Sequence, residues 1–202
     1  MPRGKTSRAE RARPRAERGD ATRNALLRAG RELFAERGFA GVGTEEIVGR
    51  AGVTRGALYH HFADKRDLFR TVHEQLEQSL MADIGARIGG IEDPWELMVS
   101  GVRAFLDACV DPAVMRIALL DAPAVLGWEE WREIDARYGL GLVSFALQDA
   151  MDRGVLEPRP VRPLAQLLLG TMGEAGLRVA NGEGTRDEVE GALMSLLDGL
   201  RV

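Results

Sequence analysis

The chain has 202 residues, 45% of them hydrophobic, which suffices for one large or two small domains with a substantial core. No stretch approaches the roughly 18 apolar residues of a membrane-spanning helix, and no apolar run follows the basic N-terminus as a secretory signal requires. The single cysteine, Cys109, can form neither an internal disulfide nor a structural zinc site. We therefore expect a cytoplasmic protein that does not enter a membrane.

The net charge of −4 conceals a strong asymmetry along the chain. Residues 1–70 contain 16 Lys and Arg against 9 Asp and Glu, a net charge of +7. Residues 71–202 contain 11 basic and 22 acidic residues, a net charge of −11. A basic segment attracts polyanions and an acidic one repels them, so the asymmetry indicates nucleic-acid binding by the N-terminal third.

The first 20 residues form a segment of their own. They are rich in arginine, include Pro2 and Pro14, and contain almost no large apolar side chain. Such a segment cannot bury enough surface to fold alone, so the sequence predicts a disordered basic arm over residues 1–20. The arm either serves as a solubilising tail or touches DNA, and its composition does not distinguish the two roles.

Residues 21–66 predict a small domain of short helices. The pattern is helical from about Asp20 to Gly38, with one face made by Leu26, Gly30, Leu33 and Phe34. Thr44 is placed to cap a second helix, over residues 44–51. After a turn at Gly52, Thr54 is placed to cap a third helix, which carries Ala57, Leu58 and Phe62.

Residues 67–202 predict a larger second domain, also helical. Asp64 and Asp67 cap a long helix that runs to Gly89, and Asp93-Pro94 and Asp111-Pro112 each read as an N-cap followed by proline. Further helices are expected over residues 128–153, over residues 163–181, and after a capping box formed by Thr185 and Glu188. No segment has the period-two pattern of a strand. The prediction is an all-α chain of about nine helices.

Residues 44–65, TEEIVGRAGVTRGALYHHFADK, have the layout of a helix-turn-helix, in which the second helix enters the DNA major groove. Arg55 can form a bidentate contact with guanine, and Gly56 and Ala57 keep that end of the helix slim. We expect the remaining polar side chains to contact phosphate or cap the helices that approach it: Thr44, Thr54, Tyr59, His60 and Lys65.

Two segments resemble the TetR family of transcriptional regulators. GVTRGALYHHFADKRDLF is similar to the family's core signature, and LLRAGRELFAERGF-x-G-x-G-T is similar to its first helix and the entry to the second. The resemblance covers residues 21–70. It implies a homodimer, a palindromic DNA operator, a small-molecule pocket in the C-terminal domain, and repression relieved by the ligand. Glu45 departs from relatives that place a base-reading residue in helix two.

Other interpretations of these residues stay open. Arg55 alone could be a solvated surface residue, and Tyr59 could be a core aromatic of a three-helix domain. His60 and His61 could form a metal site with His73, although adjacent histidines point to different faces of a helix and no carboxylate or cysteine lies at ligand spacing. We expect no metal and no cofactor.

The second domain is predicted to hold a ligand pocket. Aromatic and methionine side chains cluster within residues 94–145, and although each is more often a core residue, together they are typical of an apolar pocket between helices. The expected pocket residues are Trp95, Met98, Phe105, Met115, Asp121, Trp128, Trp131 and Tyr138, and the expected ligand is small and largely hydrophobic.

The helix over residues 163–181 is apolar around much of its circumference, so it is expected to pack on two sides. With the leucine stripe of the last helix beside it, the simplest arrangement is a four-helix bundle shared by two subunits. The candidate interface residues are Leu164, Leu168, Met172, Leu193 and Leu197. Burial within one subunit is the alternative.

Other classes of function fit the sequence less well. It contains no Gly-x-Ser-x-Gly elbow, no phosphate-binding loop, no zinc spacing and no dinucleotide fingerprint, so we do not expect an enzyme. A non-specific architectural DNA-binding protein would not need an acidic domain of this size. The sequence therefore predicts a ligand-responsive DNA-binding regulator, with repression expected and activation as the alternative.

Overall fold

The computed structural model describes the backbone of residues 8–202 and the surroundings of the side chains from residue 19. This part of the chain contains nine α-helices, one π-helix and no β-strand, apart from an isolated bridge between Leu156 and Arg201. The prediction of an all-α fold is confirmed. The helices are α1 (Arg8–Arg37), α2 (Thr44–Ala51), α3 (Arg55–His61), α4 (Lys65–Ile88), α5 (Pro94–Ala108), the π-helix (Val114–Asp121), α6 (Ala122–Leu126), α7 (Trp128–Asp152), α8 (Val161–Asn181) and α9 (Arg186–Asp198).

The chain divides into two compact units at Val72 and His73, within α4. The predicted boundary lay six residues earlier, between Arg66 and Asp67. The N-terminal unit contains α1, α2, α3 and the start of α4. Its core is built on Phe34, Phe39 and Phe69, whose rings lie 5.2–5.9 Å apart, together with buried side chains from each of its helices: Leu26, Ile47, Leu58 and Leu68.

Helix α1 begins earlier than the sequence predicts. The structure assigns residues 8–20 to this helix, where the sequence predicts a disordered arm, and residues 1–7 lie outside the described residues. The segment is dominated by alanine, arginine and glutamate, which have high helix propensity and can continue a helix that is already nucleated downstream. The low apolar content of this segment was therefore not sufficient to locate the first residue of α1.

Most predicted caps are present. The Thr54 hydroxyl accepts a hydrogen bond from the Ala57 amide at 3.3 Å, and Thr185 and Glu188 form the predicted capping box at the start of α9. The prediction that Thr44 caps α2 is wrong, because Gly43 is the N-cap and Thr44 is the first helical residue. The Glu46 carboxylate accepts from the Gly43 amide instead, which takes over the capping role.

The C-terminal unit, His73–Val202, packs α5, α7, α8 and α9 around one core, which includes Leu106, Leu147, Ala165 and Leu193. Polar contacts join α9 to α5 at the surface of this core. Arg186 lies 2.7 Å from Asp107 and 2.6 Å from Glu190, and Glu190 also pairs with Arg103 at 2.6 Å. Within the described part of the chain, no helix combines the length and apolarity that crossing a bilayer requires.

The predicted N-cap and proline at Asp111-Pro112 are followed by a π-helix, whereas the sequence predicts an α-helix there. The Asp111 carboxylate accepts from the amides of Ala113 and Val114, at 2.8 and 3.2 Å, so the capping role is as expected. The wider helix then runs over Val114–Asp121. Short π-helical stretches occur frequently at functional sites, and side chains from this one line the cavity described below.

Gly176 on α8 allows a close approach of helices in this unit. A Cβ at this position would lie 2.8 Å from Cys109 Sγ and 3.2 Å from a Leu119 methyl group. We predict that Gly176→Ala lowers the free energy of unfolding by about 1–3 kcal/mol, because the core has no space for the methyl group. Chemical denaturation of the full chain measures this change.

Gly191 on α9 provides the matched control, since nothing lies within 4 Å of a Cβ added there. Gly191→Ala should be neutral or raise the free energy of unfolding by up to about 1 kcal/mol, through helix propensity alone. Equal stabilities of the two alanine variants would contradict the steric account of Gly176.

Candidate nucleic-acid interface and apolar cavity

Helix α3 presents a polar face to solvent. Leu58 and Phe62 anchor the helix in the core of the N-terminal unit, and the exposed side is formed by Arg55, Gly56, Tyr59 and His60. Tyr59 is 45% exposed, which contradicts the alternative that it is a core aromatic. Ala57 is half-buried and Thr54 is exposed at the cap. The α3 side chains that were predicted to contact DNA therefore lie together on one accessible surface.

Arg55 is held by two neighbours on this surface. Its guanidinium lies 3.1 Å from the Glu45 carboxylate of α2 and 5.6 Å from the centre of the Tyr59 ring. Both side chains of the ion pair are about two-thirds exposed, so water screens the pair and it contributes little to stability. A phosphate or a base edge can therefore replace Glu45 as the partner of Arg55 at small cost.

Lys65 has a different environment from the one its sequence position suggests. Its ammonium donates hydrogen bonds to the main-chain carbonyls of Phe39 and Val42, each at 2.9 Å, and lies 4.0 Å from the centre of the Phe39 ring. These contacts join the start of α4 to the connection between α1 and α2. Two of the three N–H donors of the Lys65 ammonium therefore stabilise the helix-turn-helix in the free protein.

The start of α4 is capped from within. The Asp64 carboxylate accepts from the Asp67 amide at 2.8 Å, and the Asp67 carboxylate accepts from the Ala63 amide at 3.0 Å, as the sequence predicts. His60 and His61 stack edge to face, with ring centres 5.0 Å apart. The described residues contain no group of three or more His, Cys, Asp or Glu side chains arranged to hold a metal ion.

The C-terminal unit contains an apolar cavity. Its wall comes from α4, α5, the π-helix, α7, α8 and α9, and most of the side chains that form it are aliphatic, aromatic or methionine. Three of the predicted pocket residues line it: Met98, Phe105 and Trp131. A cavity between helices with a mainly apolar wall and few polar groups is the usual form of a small-molecule site.

Five of the predicted pocket residues lie elsewhere. Trp95 packs under the Arg201 guanidinium, 4.6 Å away, and Trp128 is 65% exposed with Arg132 over its ring. Asp121 lies 3.9 Å from Arg116 in the π-helix. Met115 and Tyr138 are half-buried but do not line the cavity. The clustering of aromatic residues correctly indicated the segment that contributes to the cavity. Which of these rings face the cavity depends on how each helix is rotated about its axis, and the composition does not show this.

Two acidic residues that the sequence analysis missed line the cavity, Glu77 on α4 and Asp135 on α7. Burial raises the pKa of both carboxyls, and the nearby Asp135 carboxylate helps to raise that of Glu77 to about 7. The sequence did contain a signal for Glu77. It lies three, four and seven positions before Leu80, Met81 and Ile84, on the apolar face of a helix.

Comparison with known proteins agrees with this architecture. Residues 26–72 match the family model of bacterial regulatory proteins of the tetR family, and residues 95–200 match that of the tetracyclin repressor-like C-terminal domain. The second match alone covers more than half of the chain. The chain belongs to the TetR family. It is therefore a member of a family of DNA-binding transcriptional regulators.

Relatives of this TetR-family protein include a solved structure of a TetR-family transcriptional regulator from Pectobacterium atrosepticum. That protein is 32% identical, the match covers 98% of each chain, and the TM-score is 0.78. The Transposon Tn10 TetC protein of Escherichia coli is 29% identical over 74% of this chain and 75% of its own length. The HTH-type transcriptional activator FasR of Mycolicibacterium smegmatis is 34% identical over 46% of this chain and 41% of its own.

The residues predicted for the dimer interface of this TetR-family protein differ in their burial within one chain. Leu193 and Leu197 are 4% and 3% exposed and belong to the core of their own chain. Leu164, Leu168 and Met172 are half-buried and pack against that core. The exposed apolar side chains on the same two helices are Leu167, 70% exposed, and Leu196, 58% exposed. On α9 the buried Leu197 and the exposed Leu196 are adjacent, so their side chains point in directions about 100° apart.

We predict that Lys65→Met lowers the free energy of unfolding of this TetR-family protein by about 1–3 kcal/mol. The substitution leaves the Phe39 and Val42 carbonyls without their charged donor while it keeps the apolar stem. Thermal or chemical denaturation measures the change. Arg28→Met, at an exposed basic position of α1, is the control and should change stability by less than about 0.5 kcal/mol. Equal effects of the two substitutions would rule out a structural role for Lys65.

Proposed function

We propose that this TetR-family protein is a sequence-specific repressor that a small, largely hydrophobic ligand releases from a palindromic operator. The main support is the exposed face of α3, where Arg55 and Tyr59 project from a helix anchored by Leu58 in the core. A rigid helix with accessible donors on one side is what major-groove recognition requires. The apolar cavity of the C-terminal unit supports the ligand-responsive part of the proposal.

The roles assigned to the residues follow from their surroundings. Arg55 reads a base, because it is the one long donor on the exposed side of α3 and its present partner, Glu45, is exchangeable. Tyr59 and His60 contact phosphate beside the groove, with Thr44 and Thr54 at the N-terminal ends of α2 and α3. Lys65 positions α2 and α3 through the Phe39 and Val42 carbonyls and has one donor left for phosphate.

Helix α4 supplies the connection between DNA and ligand. It carries Lys65 in the N-terminal unit and contributes Glu77 and Leu80 to the wall of the cavity. A ligand that binds one position of α4 better than another shifts the population between DNA-binding and released forms. By linkage, operator DNA weakens ligand binding by the same factor as the ligand weakens DNA binding.

The protein is proposed to act as a homodimer in the cytoplasm. The outer face of α8 carries Leu167 between small and polar residues, Gln166, Gly170 and Thr171, and α9 adds the exposed Leu196. Exposed large apolar side chains on neighbouring helices are typical of an interface between subunits. A two-fold dimer would place two α3 helices on two half-sites about one helical turn of DNA, or a multiple of it, apart.

Activation instead of repression is the alternative for the same DNA-binding surface. The similarity to FasR, which is named as an activator, covers 46% of this chain. Both modes use the same contacts with DNA and differ in where the operator lies relative to the promoter. Transcription of a reporter from the native operator, with and without the protein, distinguishes the two.

We predict that Arg55→Ala weakens binding to the best operator by about 1–3 kcal/mol and removes the preference at one base pair in each half-site. Glu45→Gln removes the ion pair but keeps Arg55, so the base preference should remain while affinity for every sequence stays equal or rises. Titrations with the operator and its single-base variants, at several salt concentrations, provide the measurement. If Arg55→Ala preserves the preference at every base pair, another residue reads the sequence.

We predict that replacing Leu167 and Leu196 together with glutamate converts the dimer to a monomer that folds but binds palindromic DNA poorly. Both side chains are exposed within one chain, so the charges cost little in the monomer and are unfavourable only in an apolar interface. Sedimentation velocity measures the oligomeric state. Val110→Glu, at another exposed apolar position, is the control and should remain dimeric. A double variant that sediments as a dimer would place the interface on another surface.

A further inference from the structure

The cavity of the C-terminal unit combines an apolar wall with two carboxyl groups, from Glu77 and Asp135. We propose that its ligand is a lipophilic organic cation, held by an ammonium or similar group beside Glu77 and by an apolar body against the rest of the wall. This inference rests on the proposed ligand-binding function and specifies the chemical class of the ligand. The inference does not depend on the residues proposed to contact DNA.

Glu77 lacks a cation to neutralise it. Its side chain is 12% exposed, and among the described residues its one ion-pair neighbour is His73, with Nδ1 3.8 Å from Oε1. His73 is fully buried, and neither of its ring nitrogens has a hydrogen-bond partner. Burial lowers the pKa of His73 to about 4, so the ring is neutral near pH 7 and does not compensate the carboxylate.

Asp135 adds a second negative group to the same cavity, and Arg132 is the one basic residue that lines it. The guanidinium of Arg132 lies over the exposed Trp128 ring, 5.4 Å from its centre, and its charge favours the ionised form of Asp135. One arginine therefore lies near two carboxyls, and the described residues show no ion pair between it and Glu77. A ligand anion would add to this imbalance, whereas a cation would correct it.

The wall suits a cation that also carries apolar groups. Phe105 and Trp131 present aromatic rings to the cavity, and an aromatic ring attracts a cation through its negative face. Met81, Met98 and Met172 add flexible, polarisable side chains that can adapt to a bulky group. A neutral apolar ligand would fill the same space but leave the Glu77 carboxylate without a counter-charge.

The test uses three compounds that share one tail and differ in the charge of the head group: decyltrimethylammonium, 1-decanol and decanoate. Each is titrated below its micelle concentration into a solution of the 202-residue chain near pH 7.5, and binding is followed by calorimetry and tryptophan emission. We expect the cation to bind about tenfold more tightly than decanol, and decanoate to bind most weakly.

The pH dependence gives a second readout, because a quaternary ammonium does not titrate. Affinity for the cation should rise from about pH 6 to about pH 8, as Glu77, with its pKa of about 7, loses its proton. Two other titratable side chains near Glu77 do not change their charge over this pH range. The His73 ring is neutral in this range, and burial, together with the charge of Glu77, raises the pKa of the Cys109 thiol to about 12. Asp135 contributes in the same direction as Glu77 because its pKa is also raised.

Glu77→Gln keeps the shape of the side chain and removes its charge. The variant should lose about tenfold in affinity for the cation and most of the pH dependence, while its affinity for decanol stays unchanged, which also shows that the cavity is intact. Asp135→Asn should have a smaller effect in the same direction. Binding of decanol or decanoate as tight as that of the cation, or an unchanged cation affinity in Glu77→Gln, would overturn the inference and leave the ligand cavity standing. Failure of all three compounds to bind would overturn both proposals.

Discussion

The hydrogen bonds from the Lys65 ammonium to the Phe39 and Val42 carbonyls join the parts of the N-terminal unit that position its two short helices. They fix the irregular connection between α1 and α2 to the first residue of α4, across 26 and 23 positions of sequence. Since α2 follows that connection and α3 precedes α4, both short helices are held at their outer ends. A helix of seven residues such as α3 has little stability alone, so its position derives from these neighbours.

Local signals allowed most of the helices to be predicted. Thr54, Asp93 and Thr185 identified helix starts because a side-chain cap needs only residues within one turn. The exposed face of α3 could be predicted for the same reason, since Leu58 and Phe62 fix the phase of a short helix. Thr44 failed as a cap because the neighbouring Gly43, with its amide bound by Glu46, took that position.

Contacts between distant residues could not be predicted in the same way. Helix α8 is apolar on several faces, so its sequence does not reveal that Leu168 turns to the cavity while Leu167 is 70% exposed. Glu77 and Asp135 are 58 positions apart, and only the packing of α4 and α7 around the same cavity brings them together. The fold class could be predicted from the sequence. Predicting which residues line the cavity would have required knowing which side of each helix faces it.

The burial of Cys109 limits the chemistry that is open to this side chain. Its Sγ packs so closely against Gly176 that no Cβ fits there, and burial together with Glu77 raises the pKa of the thiol to about 12. Near neutral pH the thiol therefore stays protonated, and the thiolate is the form that oxidants and electrophiles attack. The only cysteine in the chain is thus chemically silent. An inducer that acts by covalent modification of this thiol is therefore disfavoured, and the proposed ligand is expected to bind reversibly in the cavity.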